Sequence, residues 1–231
     1  MRILGILSGK GGTGKTTVCT NLALALTEKK QKVGIFDADI TGSNIVTALG
    51  NKVDRPISVN GDKVIPAQVN GIQVFSTDLY KTISRNKGAP LMRPGAWKSN
   101  YIMDVFHSME FDVDYLLMDF PPGVDDHSQR LLQSIVSMKA IVITTPDPKS
   151  LENAKDCIRM LKFYKIPILG VVETMRKYEY KDGKKVKHLP LINGPDVKKS
   201  LKINLIESIP FKPDIGPGDF LKLADKVEGL W

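Results

Sequence analysis

The residues with the clearest chemical content lie near the start of the chain. Gly9-Lys10-Gly11-Gly12-Thr13-Gly14-Lys15-Thr16 fits the pattern G-x-x-x-x-G-K-[ST] of a phosphate-binding loop. Glycines let the backbone curl until successive N–H groups point inward at phosphate oxygens. A helix that opens at the end of the loop adds its positive N-terminal end. In such a loop Gly11, Gly12, Thr13 and Gly14 cradle phosphate, Lys15 reaches the β- and γ-phosphates, and the Thr16 hydroxyl binds Mg²⁺. The position of the pattern, after a strand and before a helix, argues against a plain glycine-rich turn. Lys10, a second lysine inside the loop, marks the deviant form of the motif. The competing reading makes it a surface lysine that adds positive charge near phosphate.

Three carboxylates have the placement that phosphate chemistry needs. Asp37 and Asp39 follow a short apolar run, and their i, i+2 spacing puts both on one side of an extended backbone. Strand ends at this edge of an open sheet face the ligand crevice. Carboxylates there hold Mg²⁺ through water and orient an attacking water. The alternative is that they cap a helix after Thr41. Asp119 ends a second apolar run and precedes Phe120-Pro121-Pro122-Gly123. It reads as the second metal-side carboxylate, beside a stiff loop placed to sense the γ-phosphate.

The elements that must position these groups alternate between strand and helix. Ile3–Leu7 reads as a buried parallel strand, Thr16–Lys30 as a helix and Lys32–Asp37 as the next strand. Short strands are expected at Val64-Ile65 and Ile72–Phe75, around turns at Asn60-Gly61 and Asn70-Gly71. Residues 80–95 read as a loop, and Ala96–Met109 as a helix. Asp114–Asp119 is a strand, and Asp126 with Gln129 three residues on fits a helix cap. Ala140–Thr144, Ile166–Val172 and Leu205–Ile209 are further strands, with helices at Ser150–Phe163 and Asp219–Val227. Tyr178–Val186 suggests a hairpin turning at Lys181-Asp182-Gly183-Lys184. The pattern predicts an α/β fold: a doubly wound, mostly parallel sheet with helices on both faces, in a single domain over 1–231.

Composition narrows the field. With 231 residues, 42% hydrophobic and 25% charged, the chain is an ordinary globular protein, and no apolar run approaches the ~18 residues that span a bilayer. Two distant cysteines, Cys19 and Cys157, rule out a disulfide-built fold and suit a reducing compartment, so a cytoplasmic location is expected. Both read as small core residues. His107, His127 and His188 share no metal-ligand spacing, and Trp97 and Trp231 read as packing residues. The net charge is +8, and residues 176–202 carry nine basic against three acidic side chains. A solvated basic hairpin is favoured over a nucleic-acid site, because no aromatic single-strand platform or recognition helix accompanies the charge in the sequence. Nucleic acid stays open.

The chain resembles the Mrp/Nbp35 branch of the deviant P-loop ATPases, the group that includes MinD, ParA and the nitrogenase iron protein. The matching segments are Ser8–Thr17, Phe36–Ser43, Asp114–Gly123, Thr144-Thr145-Pro146, Ile168–Glu173 and Ile209–Pro213. The resemblance implies ATP binding, slow Mg²⁺-dependent hydrolysis and a homodimer with nucleotide at its interface. It implies that Lys10 reaches the partner's phosphates, that Asp39 places the attacking water and that Asp119 is the second switch's aspartate. By the same resemblance Thr16, Asp37, Asp39 and Asp119 serve the metal, Thr17 and Pro210 contact the nucleotide, and an unknown client receives iron–sulfur clusters. Two departures stand out. Cluster-carrying members have a C-x-x-C pair after the strand that ends here at Val172-Glu173-Thr174-Met175, and this chain has no cysteine there. No thiolate is available, so no cluster is predicted at that position. Thr174 also replaces the family's base-contacting Asn. The alternatives are a MinD- or ParA-like positioning ATPase and a scaffold that binds ATP and barely turns over. The short, mixed-charge segment Phe220–Trp231 argues against membrane binding.

Replacing Lys15 with Ala is expected to abolish tight Mg·ATP binding, because a desolvated phosphate loses its charge-assisted partner. Calorimetric titration of the variant checks this; unchanged affinity overturns the assignment of the loop.

Overall fold

A computed structural model describes residues 1–39, 44–77, 79, 97–123, 126–135, 137–183 and 185–231. Twelve strands form among them: β1 (Arg2–Ser8), β2 (Val33–Asp37), β3 (Val53–Arg55), β4 (Ser58–Asn60), β5 (Lys63–Ile65), β6 (Ala67–Val69), β7 (Ile72–Phe75), β8 (Tyr115–Asp119), β9 (Met138–Thr144), β10 (Ile168–Asp182), β11 (Lys185–Pro190) and β12 (Leu205–Phe211). The helices are α1 (Lys15–Glu28), α2 (Ile45–Ala48), α3 (Trp97–Ser108), α4 (Asp126–Ser134), α5 (Pro148–Phe163), α6 (Val197–Leu201) and α7 (Leu221–Gly229). A 3₁₀ turn over Pro217–Phe220 leads into α7.

The main sheet runs β11-β10-β9-β1-β8-β2-β7-β6-β3, with β12 also paired to β10. Its centre is parallel: β1 pairs β8 and β9, β2 pairs β8 and β7, and β10 pairs β9 and β12. Strands covered on both faces carry continuous apolar runs, as in the fully buried Leu4–Leu7, Ile35-Phe36 and Tyr115–Met118. Antiparallel pairs lie at the two ends, β3–β6–β7 on one side and β10–β11 on the other. Parallel central strands all deliver their C-terminal ends to one edge. Ser8, Asp37, Asp119 and Thr144 therefore end their strands side by side.

The α/β sheet of the sequence reading is present, with several boundaries moved. Helix α1 starts at Lys15, capped by Gly14 in the left-handed region, one residue before the predicted start. Helix α4 begins at Asp126 itself. Helix α5 starts at Pro148 and not Ser150: Asp147 is its N-cap, its side chain accepting the Ser150 N–H, and Pro148 sits where a missing N–H costs nothing. Residues predicted as two separate strands, Ile166–Val172 and part of a hairpin, belong to one 15-residue strand, β10. Pro167 precedes it, and Met175 interrupts its regular twist at φ 60°. The predicted turn at 181–184 is tighter than expected, because Asp182 pairs directly with Lys185. The region between β2 and α3 is richer in short strands than the sequence suggested. The predicted loop over 80–95 lies outside the described residues. Trp231 packs edge-on against Tyr115, with ring centroids 5.9 Å apart.

Candidate functional site: a phosphate loop closed on an aspartate

The loop from Gly9 to Gly14 joins β1 to α1 and lies over the C-terminal edge of the sheet. Its shape depends on glycine at Gly9 and Gly14, and at Gly12, where φ is 77°. A side chain at Gly9 would come within 2.2 Å of the Asn153 backbone in α5, so the loop is pressed against that helix. Gly14 adopts φ 80°, a conformation that L side chains rarely adopt, and turns the chain into α1. Nothing lies within 4 Å of the side-chain positions at Gly11 and Gly12. The loop thus has an open, glycine-lined concavity. Thr13 is buried, and its hydroxyl has no partner among the described residues.

The floor of the concavity is Asp119. Its Oδ1 accepts from Lys15 Nζ at 2.5 Å, and its Oδ2 accepts from the Thr16 hydroxyl at 2.7 Å. Lys15 and Asp119 are both buried. Burial pushes the Asp119 carboxyl upward, while the Lys15 ammonium and Thr16 hydroxyl pull it back and Asp39 adds to the rise. Asp37 stands next to Asp119 in the β2–β8 register and is buried. One of its oxygens accepts the Asp39 N–H at 3.0 Å. That bond aims the two carboxylates toward the same edge. The N-cap position of the next described helix, α2, is Asn44.

Lys10 points away from this centre. Its ammonium lies 3.5 Å from Asp147 Oδ1, and its side chain remains about a third exposed (34%). Asp147 was not singled out by the sequence reading. It accepts from Thr145 and Ser150 hydroxyls at 2.5 and 2.6 Å and from the Ser150 N–H at 3.0 Å. Desolvation alone would raise its pKa, but the Ser150 and Thr145 hydrogen bonds and the Lys10 charge hold it well below the usual carboxylate range. The signal was present in the sequence: Asp-Pro followed by Ser two places later is an N-cap pattern.

Thr174 stands in place of the family's base-contacting Asn. Its hydroxyl instead donates to the Thr13 carbonyl at 2.7 Å and ties β10 to the loop. Beside it Glu173 is buried, accepting from Arg176 at 2.9 and 2.7 Å and from the Ser208 hydroxyl at 2.8 Å. Thr17 and Pro210, the remaining predicted contacts, line one slot with Gly14.

The residues fit Mg²⁺ bound with phosphate. Thr16 and Asp119 would offer oxygen ligands, with phosphates and water left to supply the rest. Among the described residues no group of three or more His, Cys, Asp or Glu is arranged to hold a metal ion. Cys19 and Cys157 are buried, and burial pushes the Cys157 thiol up to about 12. Neither is a ready thiolate. The region where a C-x-x-C pair was sought is the β10–β11 hairpin. One correction concerns its surface. Period-2 alternation puts Tyr178, Tyr180, Lys185, Lys187 and Leu189 on one face, with Phe211 beside Tyr178. The basic segment therefore does carry an aromatic row, assembled from strands distant in sequence. No described helix is long and apolar enough to cross a membrane.

Residues 1–219 match the family described as ParA: NUBPL iron-transfer P-loop NTPase. The chain belongs to this family. It is 39% identical over 174 residues to the iron-sulfur cluster carrier protein of Escherichia coli K12, covering 75% of this chain and 46% of that protein. The carrier protein of Aquifex aeolicus is 31% identical over 216 residues, 92% of this chain and 58% of its own length. The chain thus spans about half the length of the curated relatives it matches. Among solved structures, a nucleotide-binding protein in complex with ADP from Archaeoglobus fulgidus aligns with TM-score 0.72 and 26% identity, covering 99% of this chain and 88% of that one. MinD complexed with Mg-ADP from Pyrococcus horikoshii aligns with TM-score 0.66 and 25% identity, covering 99% and 96%. The family membership agrees with the resemblance read from the motifs.

Asp147→Ala is expected to cost about 1–2 kcal/mol at pH 7, the usual range for a lost N-cap. The folded-state pKa is depressed, so the contribution is present above the unfolded value and is lost as pH falls. The difference between wild type and variant should fade below about pH 4. Denaturant unfolding at a series of pH values checks both parts.

Proposed function

We propose that residues 1–231 form a single Mg²⁺-dependent ATPase domain that works as a nucleotide switch in iron–sulfur cluster assembly or delivery. The observation that carries this reading is the shared carboxylate of Asp119. It holds, in one place, the ammonium that a β,γ-phosphate would take and the hydroxyl that Mg²⁺ would take. When nucleotide enters, Lys15 exchanges one anion for another, and Thr16 and Asp119 become metal-side oxygens. The ADP and Mg-ADP complexes of the two similar structures support ATP and Mg²⁺ as ligands. Asp39, partly exposed at the same edge, orients the attacking water, and Asp37 supports the metal through water.

Catalysis in this scheme is positioning and charge stabilisation. Gly11, Gly12, Thr13 and Gly14 supply backbone donors, and Lys15 neutralises charge on the transferring group; a bound Mg²⁺ would add to that neutralisation. Lys10 completes the site of a second subunit. The loop already holds Lys15, and a second ammonium beside it would be repelled and costly to desolvate. Its pairing with Asp147, outside the concavity, keeps it near the surface where a partner's phosphates can take it. Turnover is therefore slow and dependent on a homodimer with nucleotide at the interface.

The switch serves cluster delivery without carrying a cluster on thiolates of its own. The relatives named as cluster carriers support the pathway. The two buried cysteines and the cysteine-free hairpin support the division of labour, with ligation left to an unknown client.

Two experiments test the proposal. Lys10→Ala and Asp39→Ala should each be inactive alone, and mixing them should restore part of the ATPase activity once subunit exchange is shown. The whole site then lies in the Lys10→Ala subunit, which borrows Lys10 from its partner. A monomer with full ATPase activity rejects the scheme. The protein purified without oxygen should also lack stoichiometric iron. A [4Fe–4S] absorption lost in Cys157→Ser would show that a ligand had been taken for core.

A further inference from the structure

The slot beside the loop has a chemistry of its own. A cavity of about 120 Å³ touches Gly14, the last residue of the loop, and Thr17 and Val18 in the first turn of α1. Because it adjoins the loop at Gly14, a nucleotide whose phosphates lay in the loop could extend its nucleoside into it. Its other walls are Met175 on β10, and Ile209, Pro210 and Phe211 on β12. These are apolar, and Pro210 has no N–H to offer.

The polar side chains at the slot number three, and two are committed elsewhere. The Thr174 hydroxyl is buried and donates to the Thr13 carbonyl at 2.7 Å, with the Thr144 carbonyl 3.4 Å away. Lys212 lies 2.5 Å from Asp219 and 3.6 Å from Glu179. The third, Thr17, is a hydroxyl that rotates to donate or to accept. Adenine presents an amino donor at the position where guanine presents an oxo acceptor. A rotating hydroxyl serves either one. Among the described residues that line the slot, none carries a side-chain amide or carboxylate to fix the choice.

We infer that this slot takes purine nucleoside triphosphates by shape and apolar contact and does not choose between adenine and guanine, with Thr174 acting as a positioning residue for the loop. The inference rests on the phosphate-loop reading above and extends its substrate class from ATP to ATP and GTP. Sites built to hydrogen-bond a substrate group reject the analogue lacking it by roughly 10⁴–10⁵, whereas apolar pockets discriminate weakly. Selectivity here should sit at the weak end.

The test is calorimetric titration of the full chain with the Mg²⁺ complexes of non-hydrolysable ATP and GTP analogues. The expected result is binding of both, with dissociation constants within about tenfold of each other. Thr174→Val removes the hydroxyl and keeps the shape. It should weaken both analogues by a similar factor, because it frees the loop, and leave their ratio unchanged. A preference for the ATP analogue above about tenfold overturns the inference and assigns base reading to backbone groups at the break between the Thr174–Ile209 and Tyr178–Phe211 pairs. A ratio that moves with Thr174→Val overturns the positioning role. Binding of neither analogue is a different failure: it removes the phosphate-loop reading itself, and the selectivity with it.

Discussion

The buried carboxylate of Asp119 sets the terms for everything around it. An ionised carboxylate taken out of water is costly unless charge and hydrogen bonds compensate it. Here the compensation comes from Lys15 and Thr16, the first two residues of α1. The end of β8, the start of α1 and the curl of the loop between β1 and α1 must therefore meet within hydrogen-bond distance. The parallel sheet makes that meeting possible, because β1 and β8 are neighbours and both end at the same edge. A phosphate placed in the loop would compete with this internal anion for the same lysine.

Much of this was legible before any coordinates. The loop pattern, the apolar runs of β1, β2 and β8, and the carboxylates at their ends are local signals, and they fall where a parallel sheet gathers them. Residues whose partners are distant in sequence were harder to place. Thr174 reads only as a departure from the family's Asn, because the carbonyl that its hydroxyl meets lies 161 residues away in the loop. Asp147 was passed over, because the start of α5 was set two residues late. The aromatic row on the hairpin was invisible, since Phe211 comes from β12 and joins Tyr178 only through strand pairing. The boundaries missed on β10 have a similar cause. A proline before the strand and a left-handed Met175 within it both look like breaks, and only pairing with β9, β11 and β12 holds the segment as one strand.

The loop is held from three directions, each by a different kind of force. Asp119 holds it by charge, Thr174 by a hydrogen bond to Thr13, and α5 by steric contact at Gly9. Lys10 alone points outward, on a lighter tether to Asp147. The groups that meet the chain's own nucleotide are thus locked to the sheet, while the group proposed to meet a partner's nucleotide is held by one partly exposed ion pair. Such pairs contribute about 0–1 kcal/mol. That asymmetry lets the loop stay formed while Lys10 changes partners.

The left-handed turn at Met175 has a mechanical meaning. On one side of it β10 is fixed by parallel partners and by the loop; on the other it continues with β11 as a hairpin arm that β12 still flanks through the Tyr178–Phe211 pair. From Lys177 to Asp182 that arm extends about 17 Å at the usual rise per residue. Met175 is both the pivot of the arm and a wall of the slot. The course of β10 at this one residue therefore sets both a wall of the slot and the direction in which the hairpin with its lysines leaves the sheet.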